Sequence, residues 1–270
     1  MPLKLMYITN NPDVALAAER YGVDRIFVDL ETLGKEERQK DMNTVKSKHT
    51  IRDIKVISSL LTTSEMLVRI NPWNTNSIKE IDDVILAGGD IIMLPMWKTV
   101  EEVKEFINAV NKRAKVILLL ETKEAAEIID DIMMIEGIDE IYIGLNDLHL
   151  SYGMKFMFEP LSNGIVENLC KKIKAKNIPY GFGGIARLGE GLLPAEKVIM
   201  EHYRLGSTIV ILSRSFCNTN QNANYEELFM REICRLRNYE DGLGSMDAKE
   251  FNENQLLVCS IVENIVNEKG

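Results

Sequence analysis

Charged side chains follow several short apolar runs in this sequence, at the point where each run ends. Asp29 and Glu31 follow one run, Arg69 ends a second, Glu121 follows a third and Asp147 follows a fourth. Carboxylates gathered at one place would repel one another unless a cation neutralised them, and Mg²⁺ is usually held by a few carboxylates and water molecules. Mn²⁺ accepts the same ligands. We therefore expect a Mg²⁺ or Mn²⁺ site, with Glu121 and Asp147 as the best ligand pair because they follow adjacent runs.

The chemistry that such a site would carry is the making or breaking of carbon–carbon bonds. A 2-oxo acid chelates a metal ion through its carboxylate and keto oxygens, and the ion acts as a Lewis acid that stabilises the enolate. Arg69 would share the negative charge of that enolate. The alternative is that each carboxylate is a surface residue or a helix cap. Glu121, for example, precedes the sequence KEAAEII, where a negative charge favours the helix dipole.

Eight short aliphatic runs alternate with longer amphipathic segments, which is typical of βα units joined into a parallel sheet. Several runs, such as IIML and VILLL, are apolar at every position, as expected of strands covered on both faces. The predicted strands are residues 3–9, 25–30, 66–70, 91–94, 116–120, 140–145, 180–183 and 208–212. The carboxyl ends of such strands meet on one face of a barrel, so the polar residues after the runs would converge there. The sequence thus predicts an α/β protein with a single (β/α)₈ barrel, the TIM barrel.

The chain is interpreted as one barrel with an additional C-terminal helix. Residues 1–245 would form the barrel, and residues 246–270 would dock on it or on a partner subunit. Apolar side chains of the predicted helix at 248–267 require burial, so we expect a homo-oligomer. Residues 31–52 form a long, charged connection, and such connections are more often functional than structural. We expect this segment to be a lid or cap.

The composition indicates an ordinary globular protein, with 46% apolar and 27% charged residues in 270. A net charge of −9 without a basic stripe argues against nucleic acid as a partner. No apolar run approaches the roughly 18 residues that span a bilayer. The four cysteines form no Cys-x-x-Cys pair and follow no secretory signal. These observations predict a soluble, cytoplasmic protein with a small carboxylic acid as substrate and no nucleic acid or membrane partner.

The most specific motif is Ile-Gly-Leu-Asn-Asp-Leu-His-Leu-Ser-Tyr-Gly at residues 143–153. It resembles the I-G-x-x-D-L-x-x-x-x-G motif of the HpcH/HpaI aldolase and citrate lyase beta-subunit superfamily, metal-dependent barrels that act on pyruvate or acetyl units. LLLET at residues 118–122 is similar to the segment that ends in the family's metal-binding glutamate, and VRIN at 68–71 is similar to its V-R-x-N sequence. The resemblance covers roughly residues 7–153, and it implies that Glu121 and Asp147 bind the metal ion.

The resemblance also implies roles for neighbouring residues. Asp29-Leu-Glu31 is similar to the D-L-E-D run of the citrate lyase branch, which implies that Asp29 and Glu31 support the water molecules on the metal ion. The backbone amides of Asn146 and Asp147 are implied to receive the substrate carboxylate. Arg69 is expected to bind substrate and to take part in catalysis.

Two positions depart from the aldolase branch of this family. Thr32 stands where that branch has a histidine that assists proton transfer, and Leu119 stands where it has a glutamine. We predict that His49 replaces the missing base, because histidine titrates in the useful range and the long loop would bring it to the barrel mouth. The alternative for His49 is a solvated loop position. Arg187 and Arg214 would bind a distal carboxylate or phosphate of the substrate, or else form surface ion pairs.

These observations together predict a divalent-metal-dependent carbon–carbon lyase or aldolase that acts on 2-oxo acids or citrate-like carboxylic acids through a metal-stabilised enolate. Three alternatives stay open: a condensing enzyme that runs the same chemistry in the synthetic direction, an acyl-CoA lyase of the same superfamily, and a non-catalytic barrel that only binds a ligand. Binding of CoA would distinguish the acyl-CoA lyase, and poor metal affinity would indicate the non-catalytic barrel.

Overall fold

Eight parallel strands close into one barrel in the computed structural model, which describes residues 2–34, 49–213, 216 and 224–269. The strands are β1 (Lys4–Ile8), β2 (Arg25–Asp29), β3 (Glu65–Arg69), β4 (Ile91–Leu94), β5 (Lys115–Leu120), β6 (Glu140–Ile143), β7 (Tyr180–Ile185) and β8 (Ile209–Leu212). Each strand pairs with its neighbours in sequence, and β8 pairs with β1 to close the barrel. The predicted (β/α)₈ barrel is confirmed.

Helices connect the strands and cover the outside of the barrel. They are α1 (Pro12–Arg20), α2 (Ile51–Ser58), α3 (Ser77–Leu86), α4 (Val100–Val110), α5 (Lys123–Glu127), α6 (Ile129–Ile132), α7 (Leu145–Ser151), α8 (Glu159–Ser162), α9 (Ile165–Lys174), α10 (Ala195–Leu205), α11 (Tyr225–Leu243) and α12 (Ala248–Glu268). Local sequence determines where several of them begin. Thr50 and Thr99 form reciprocal capping boxes with Asp53 and Glu102. In the part of the chain that the structure describes, no helix is both long and apolar enough to cross a membrane.

The predicted additional helix is α12, which packs on α10 and α8 of the same chain. It buries Val258 and Val262, and the side-chain amide of Asn254 donates to Glu201 Oε1 at 2.9 Å. Leu256 and Leu257 remain 71% and 43% exposed. The additional helix is thus confirmed, whereas the homo-oligomer stays a prediction.

An inner cluster of apolar side chains fills the barrel below its mouth. Its buried members are Met6, Phe27, Leu67, Ile91, Met93, Ile117, Leu119, Tyr142 and Ile209. A second, larger cluster fills the space between the strands and the outer helices. Because side chains fill the barrel interior, ligands of this fold bind at the carboxyl ends of the strands, where the loops begin.

A buried ionic network lies at the opposite, amino ends of the strands. The Arg25 side chain is fully buried, and Nη1 and Nη2 donate to the two carboxylate oxygens of Glu140 at 2.5 and 2.6 Å. Its Nε donates to Glu65 Oε2 at 3.1 Å, and Glu65 also pairs with Lys115. Burial alone would lower the pKa of Arg25, but Glu140 and Glu65 outweigh it and raise the pKa. Four strands are therefore joined by charge at the base of the barrel.

The register of β7 and β8 shifts beside the barrel mouth, where β7 carries one more residue than β8. Gly183 adopts a φ of +58° in this bulge, a conformation that favours glycine. The Tyr142 hydroxyl donates to the Gly183 carbonyl and accepts from the Ile211 N–H at 2.9 Å. Burial raises the pKa of Tyr142, so the hydroxyl stays protonated. Tyr142 of β6 thus bridges the interrupted β7–β8 ladder.

Replacing Tyr142 with phenylalanine is expected to lower the free energy of unfolding by roughly 2–4 kcal/mol, because two buried backbone groups would lose their partner. Urea denaturation measures this loss. The matched control is Tyr239→Phe, since the half-buried Tyr239 hydroxyl donates to the Glu196 carbonyl at the longer distance of 3.3 Å. The control should lose about 1 kcal/mol or less. Equal losses in the two variants would contradict the bridging role.

Candidate active site

A cavity of about 180 Å³ lies at the carboxyl ends of the strands. Its charged and amide side chains are Arg69, Glu121, Asn146 and Asp147. A larger groove of about 1200 Å³ lies at the amino ends of β3 to β6, away from these residues. Active sites of TIM barrels lie at the carboxyl face. We therefore take the smaller cavity as the candidate active site.

Arg69 lies at the end of β3 and is held by Asp29, the last residue of β2, and by Glu31, which follows that strand. Its Nε and Nη2 donate to the two carboxylate oxygens of Asp29, both at 2.9 Å, and Nη1 lies 3.2 Å from Glu31 Oε2. Asp29 and Arg69 are register partners across the parallel pair, so the sheet itself brings them together. Burial alone would lower the pKa of Arg69, but Asp29 and Glu31 outweigh it and raise the pKa. Arg69 is therefore a fixed positive charge.

Glu121 follows β5 and is only 3% exposed. Its Oε1 accepts the backbone N–H of Met96 at 3.1 Å. Met96 has a φ of 54°, a left-handed conformation that is uncommon for a residue with a side chain. On the other side, a Cβ atom at Gly144 would lie 3.0 Å from Glu121 Oε2, so a glycine there leaves room for the carboxylate. Glu121 is thus held by the loop after β4 and has room for its carboxylate beside Gly144.

Asn146 and Asp147 lie in the first turn of α7, directly after β6. Gly144 precedes the helix, and no side chain caps it. The first N–H groups of a helix have no acceptor within the helix, and they carry its positive dipole end. Both residues line the cavity. The position of this turn agrees with the implied role of the two amides in receiving a carboxylate.

The oxygen donors of the cavity fit a hard divalent cation. Glu121 and Asp147 line it, and Asp29 and Glu31 contact Arg69 beside it. In the described part of the chain, four carboxylates and a single guanidinium lie in or beside the cavity, so a bound cation would offset the excess negative charge. Among the described residues, no group of three or more His, Cys, Asp and Glu side chains could hold a metal ion. A pair of carboxylates completed by water and substrate is a coordination that Mg²⁺ uses.

The structure does not bring any of the three histidines into the lining of this cavity. His49 accepts the backbone N–H of Asp29 through Nδ1 at 2.9 Å, so the neutral ring carries its proton on Nε2 and is a donor there. His149 is buried, with Nδ1 3.3 Å from the Leu145 carbonyl. Burial lowers the pKa of His202 to about 3. A catalytic role for His49 stays a prediction.

Other expected residues lie away from the cavity or outside the described chain. Arg187 pairs with Glu190 at 2.7 Å and does not line the cavity. Arg214 and most of the predicted lid, residues 35–48, lie outside the described residues. Asn71, the end of the VRIN sequence, accepts the N–H groups of Thr32 and Leu33 at 2.9 and 3.0 Å and so anchors the chain after β2.

Sequence reasoning missed two contributors to the site, Met96 and Tyr142. Met96 contributes a backbone N–H to Glu121, and no residue type signals a left-handed methionine. Tyr142 lines the cavity and bridges two other strands. The alternation of inward and outward side chains along β6 could have placed Tyr142 inside the barrel, but not its hydrogen-bond partners.

A protein-family model described as HpcH/HpaI aldolase/citrate lyase matches residues 4–159. Solved structures with a similar fold include an HpcH/HpaI aldolase from Desulfitobacterium hafniense DCB-2, at 18% identity and a TM-score of 0.61, over 78% of this chain and 86% of that chain. An HpcH/HpaI aldolase/citrate lyase family protein from Burkholderia cenocepacia J2315 gives 13% identity and a TM-score of 0.61, over 88% and 95%. Macrophomate synthase gives 15% identity and a TM-score of 0.55, over 78% and 77%. A comparison with curated protein sequences found no match.

The fold and the cavity define a TIM barrel with an acidic site at the carboxyl ends of its strands. The family model covers more than half of the chain and every charged residue that lines the candidate site. The protein therefore belongs to the HpcH/HpaI aldolase/citrate lyase family. At under 25% identity, the solved structures support the fold alone.

Proposed function

We propose that this protein is a divalent-metal-dependent carbon–carbon lyase or aldolase that acts on 2-oxo acids or citrate-like carboxylic acids. One observation carries the proposal: Glu121, Asp147 and Arg69 line the same cavity at the carboxyl ends of the strands. A carboxylate pair for a cation and a guanidinium for an anion are the groups that enolate chemistry uses. Membership of an aldolase and citrate lyase family supports the same reaction class.

Glu121 and Asp147 would hold Mg²⁺ or Mn²⁺ and leave coordination positions for substrate oxygens. When bound, the ion would supply a Lewis acid for the oxo oxygen of the substrate. The Met96 amide and the space at Gly144 orient the Glu121 carboxylate. A ligand held in this way loses little further freedom when a cation binds, which favours affinity.

The substrate would be oriented by its carboxylate, which would accept hydrogen bonds from the first-turn backbone N–H groups of Asn146 and Asp147. Arg69 would then stabilise the negative charge of the enolate that forms when the carbon–carbon bond breaks. Asp29 binds Arg69 through both carboxylate oxygens and Glu31 binds it through one, so these residues fix the direction of the guanidinium. We also propose that they support water molecules on the metal ion.

No histidine is among the described residues that line the cavity, so another group must transfer the proton in the reaction. His49 acts through Asp29 in this geometry, because its Nδ1 accepts the Asp29 amide beside the bidentate contact with Arg69. Its Nε2–H would serve as a donor, which suits a general acid better than a base.

The proposal is tested with the wild-type protein, Mg²⁺ or Mn²⁺, and a panel of 4-hydroxy-2-oxo acids and citrate-like acids. We expect release of pyruvate or of an acetyl unit that stops when EDTA is added and returns with excess Mg²⁺. Metal binding is measured in parallel by titration calorimetry. Bound metal without turnover of any substrate would count against cleavage and favour a condensing enzyme or a non-catalytic barrel.

A further inference from the structure

The lining of the cavity combines a few charged and amide side chains with a larger number of apolar ones. The charged and amide side chains come from β3, from the end of β5 and from α7. The other side chains are Tyr142, whose hydroxyl already bonds the Gly183 carbonyl and the Ile211 N–H, and the apolar Ile8, Phe27, Met93, Leu119, Leu145, Met157 and Ile211. Several of these belong to or pack against the inner cluster, so the barrel's own core forms the floor of the cavity. A ligand held by its polar end would therefore meet hydrocarbon at its other end.

Leu119 is the apolar side chain that lies beside the proposed metal ligands. A Cβ atom at Gly144 would lie 3.2 Å from Leu119 Cδ1 and 3.0 Å from the Glu121 carboxylate. One small region therefore borders both the leucine and the glutamate. The leucine is 4% exposed and sits two residues before Glu121 on β5, so both side chains point to the same face of that strand. The substrate carbon next to the oxo group would contact Leu119.

The cavity offers little for a second charged group of the substrate. Among the described residues that line it, Arg69 is the one cationic side chain, and Asp29 and Glu31 already bind it. The volume of about 180 Å³ corresponds to about six water molecules, at roughly 30 Å³ each. That space suits a three-carbon or four-carbon oxo acid.

We propose that the oxo acid bound here carries an alkyl group on the carbon next to the oxo group, and that Leu119 selects against a hydroxyl or a carboxylate at that position. This inference rests on the proposed function and names its substrate class. A hydroxyl in contact with the apolar floor loses hydrogen bonds to water without gaining a partner there, whereas each methylene buried against it adds affinity.

The test uses three oxo acids with the same head group: pyruvate, 2-oxobutyrate and 3-hydroxypyruvate. The last two have the same number of non-hydrogen atoms, but 2-oxobutyrate ends in a methyl group where 3-hydroxypyruvate ends in a hydroxyl. Their dissociation constants are measured by titration calorimetry with the Mn²⁺-loaded protein. We expect 2-oxobutyrate to bind about four-fold more tightly than pyruvate and about ten-fold more tightly than 3-hydroxypyruvate.

The outcomes separate this inference from the proposed function. Failure of all three acids to bind in the presence of bound metal would overturn the proposed function itself. Binding of pyruvate together with equal or tighter binding of 3-hydroxypyruvate than 2-oxobutyrate would overturn the inference and leave the function standing.

A pair of variants assigns the preference to Leu119. Glutamine at position 119, in Leu119→Gln, has a volume similar to that of leucine and supplies a hydrogen-bond partner. The ten-fold preference for 2-oxobutyrate over 3-hydroxypyruvate is therefore expected to disappear, with the two acids binding about equally. The same substitution at Leu86, which is 85% exposed on α3, should keep the wild-type ratio. If the folded Leu119→Gln protein keeps the wild-type ratio of the two dissociation constants, Leu119 does not set the preference. If that variant does not fold, the comparison of the three acids on the wild-type protein still tests the inference.

Discussion

Asp147→Asn is expected to lower kcat/KM for metal-dependent carbon–carbon cleavage by about 10³-fold, the upper range for removal of one preorganised electrostatic group. Asparagine has the same shape and keeps the backbone amide in the first turn of α7, but it removes one of the two proposed anionic ligands. Affinity for Mn²⁺ should fall by at least about 100-fold, since loss of a residue that only hydrogen-bonds to a metal ligand already lowers metal affinity by about 10- to 100-fold. Calorimetric titration with Mn²⁺ measures this independently of turnover.

The matched control is Asp131→Asn on the exposed side of α6, which removes the same charge far from the cavity. It should keep wild-type metal affinity and turnover. An Asp147→Asn protein that binds Mn²⁺ as tightly as the wild type would show that Asp147 is not a ligand. Lost metal binding with unchanged cleavage would instead show that the reaction does not use the ion.

The barrel could be predicted because its sequence signals repeat eight times and agree with one another. Runs such as residues 116–120 are apolar at every position, and only strands that are covered on both faces bury all of those side chains. The convergence of Arg69, Glu121 and Asp147 follows from the topology alone, since each lies at or just after the carboxyl end of a strand. An error of one or two residues at a strand end does not change that outcome.

The contacts that refine the site were not predictable, because they depend on backbone conformation rather than on residue type. The left-handed Met96 and the bulge at Gly183 are features of backbone conformation and strand register, which leave no periodic signal in the sequence. His49 illustrates the same limit. Its position after the long loop predicts a catalytic role, which stays a prediction, and the sequence does not show that its ring nitrogen accepts the amide of Asp29.

Charged side chains lie at both ends of the barrel, but their charges balance at only one end. At the carboxyl end, the described residues place four carboxylates and one guanidinium in or beside the cavity, which leaves negative charge for a cation to offset. At the amino end, Arg25 and Lys115 balance Glu65 and Glu140 in number, and Arg25 and Glu140 meet through two short hydrogen bonds. We assign the balanced network a structural role, because its charges are already satisfied within the protein.

Arg25→Met is therefore expected to lower the free energy of unfolding by about 3–5 kcal/mol, because the buried Glu140 carboxylate would lose its partner. The double variant Arg25→Met, Glu140→Leu removes both charges and should recover most of that loss, since an apolar pair of similar volume often replaces a buried ion pair at little cost. Urea denaturation of the two variants gives the comparison. The exposed pair of Arg20 and Glu226, 2.8 Å apart, is the control, and Arg20→Met should lose about 1 kcal/mol or less. If the single Arg25 variant is as stable as the Arg20 variant, the network does not hold the strands together. If the double variant is no more stable than the single Arg25 variant, the loss of stability comes from packing of the arginine stem rather than from the unpaired Glu140 carboxylate.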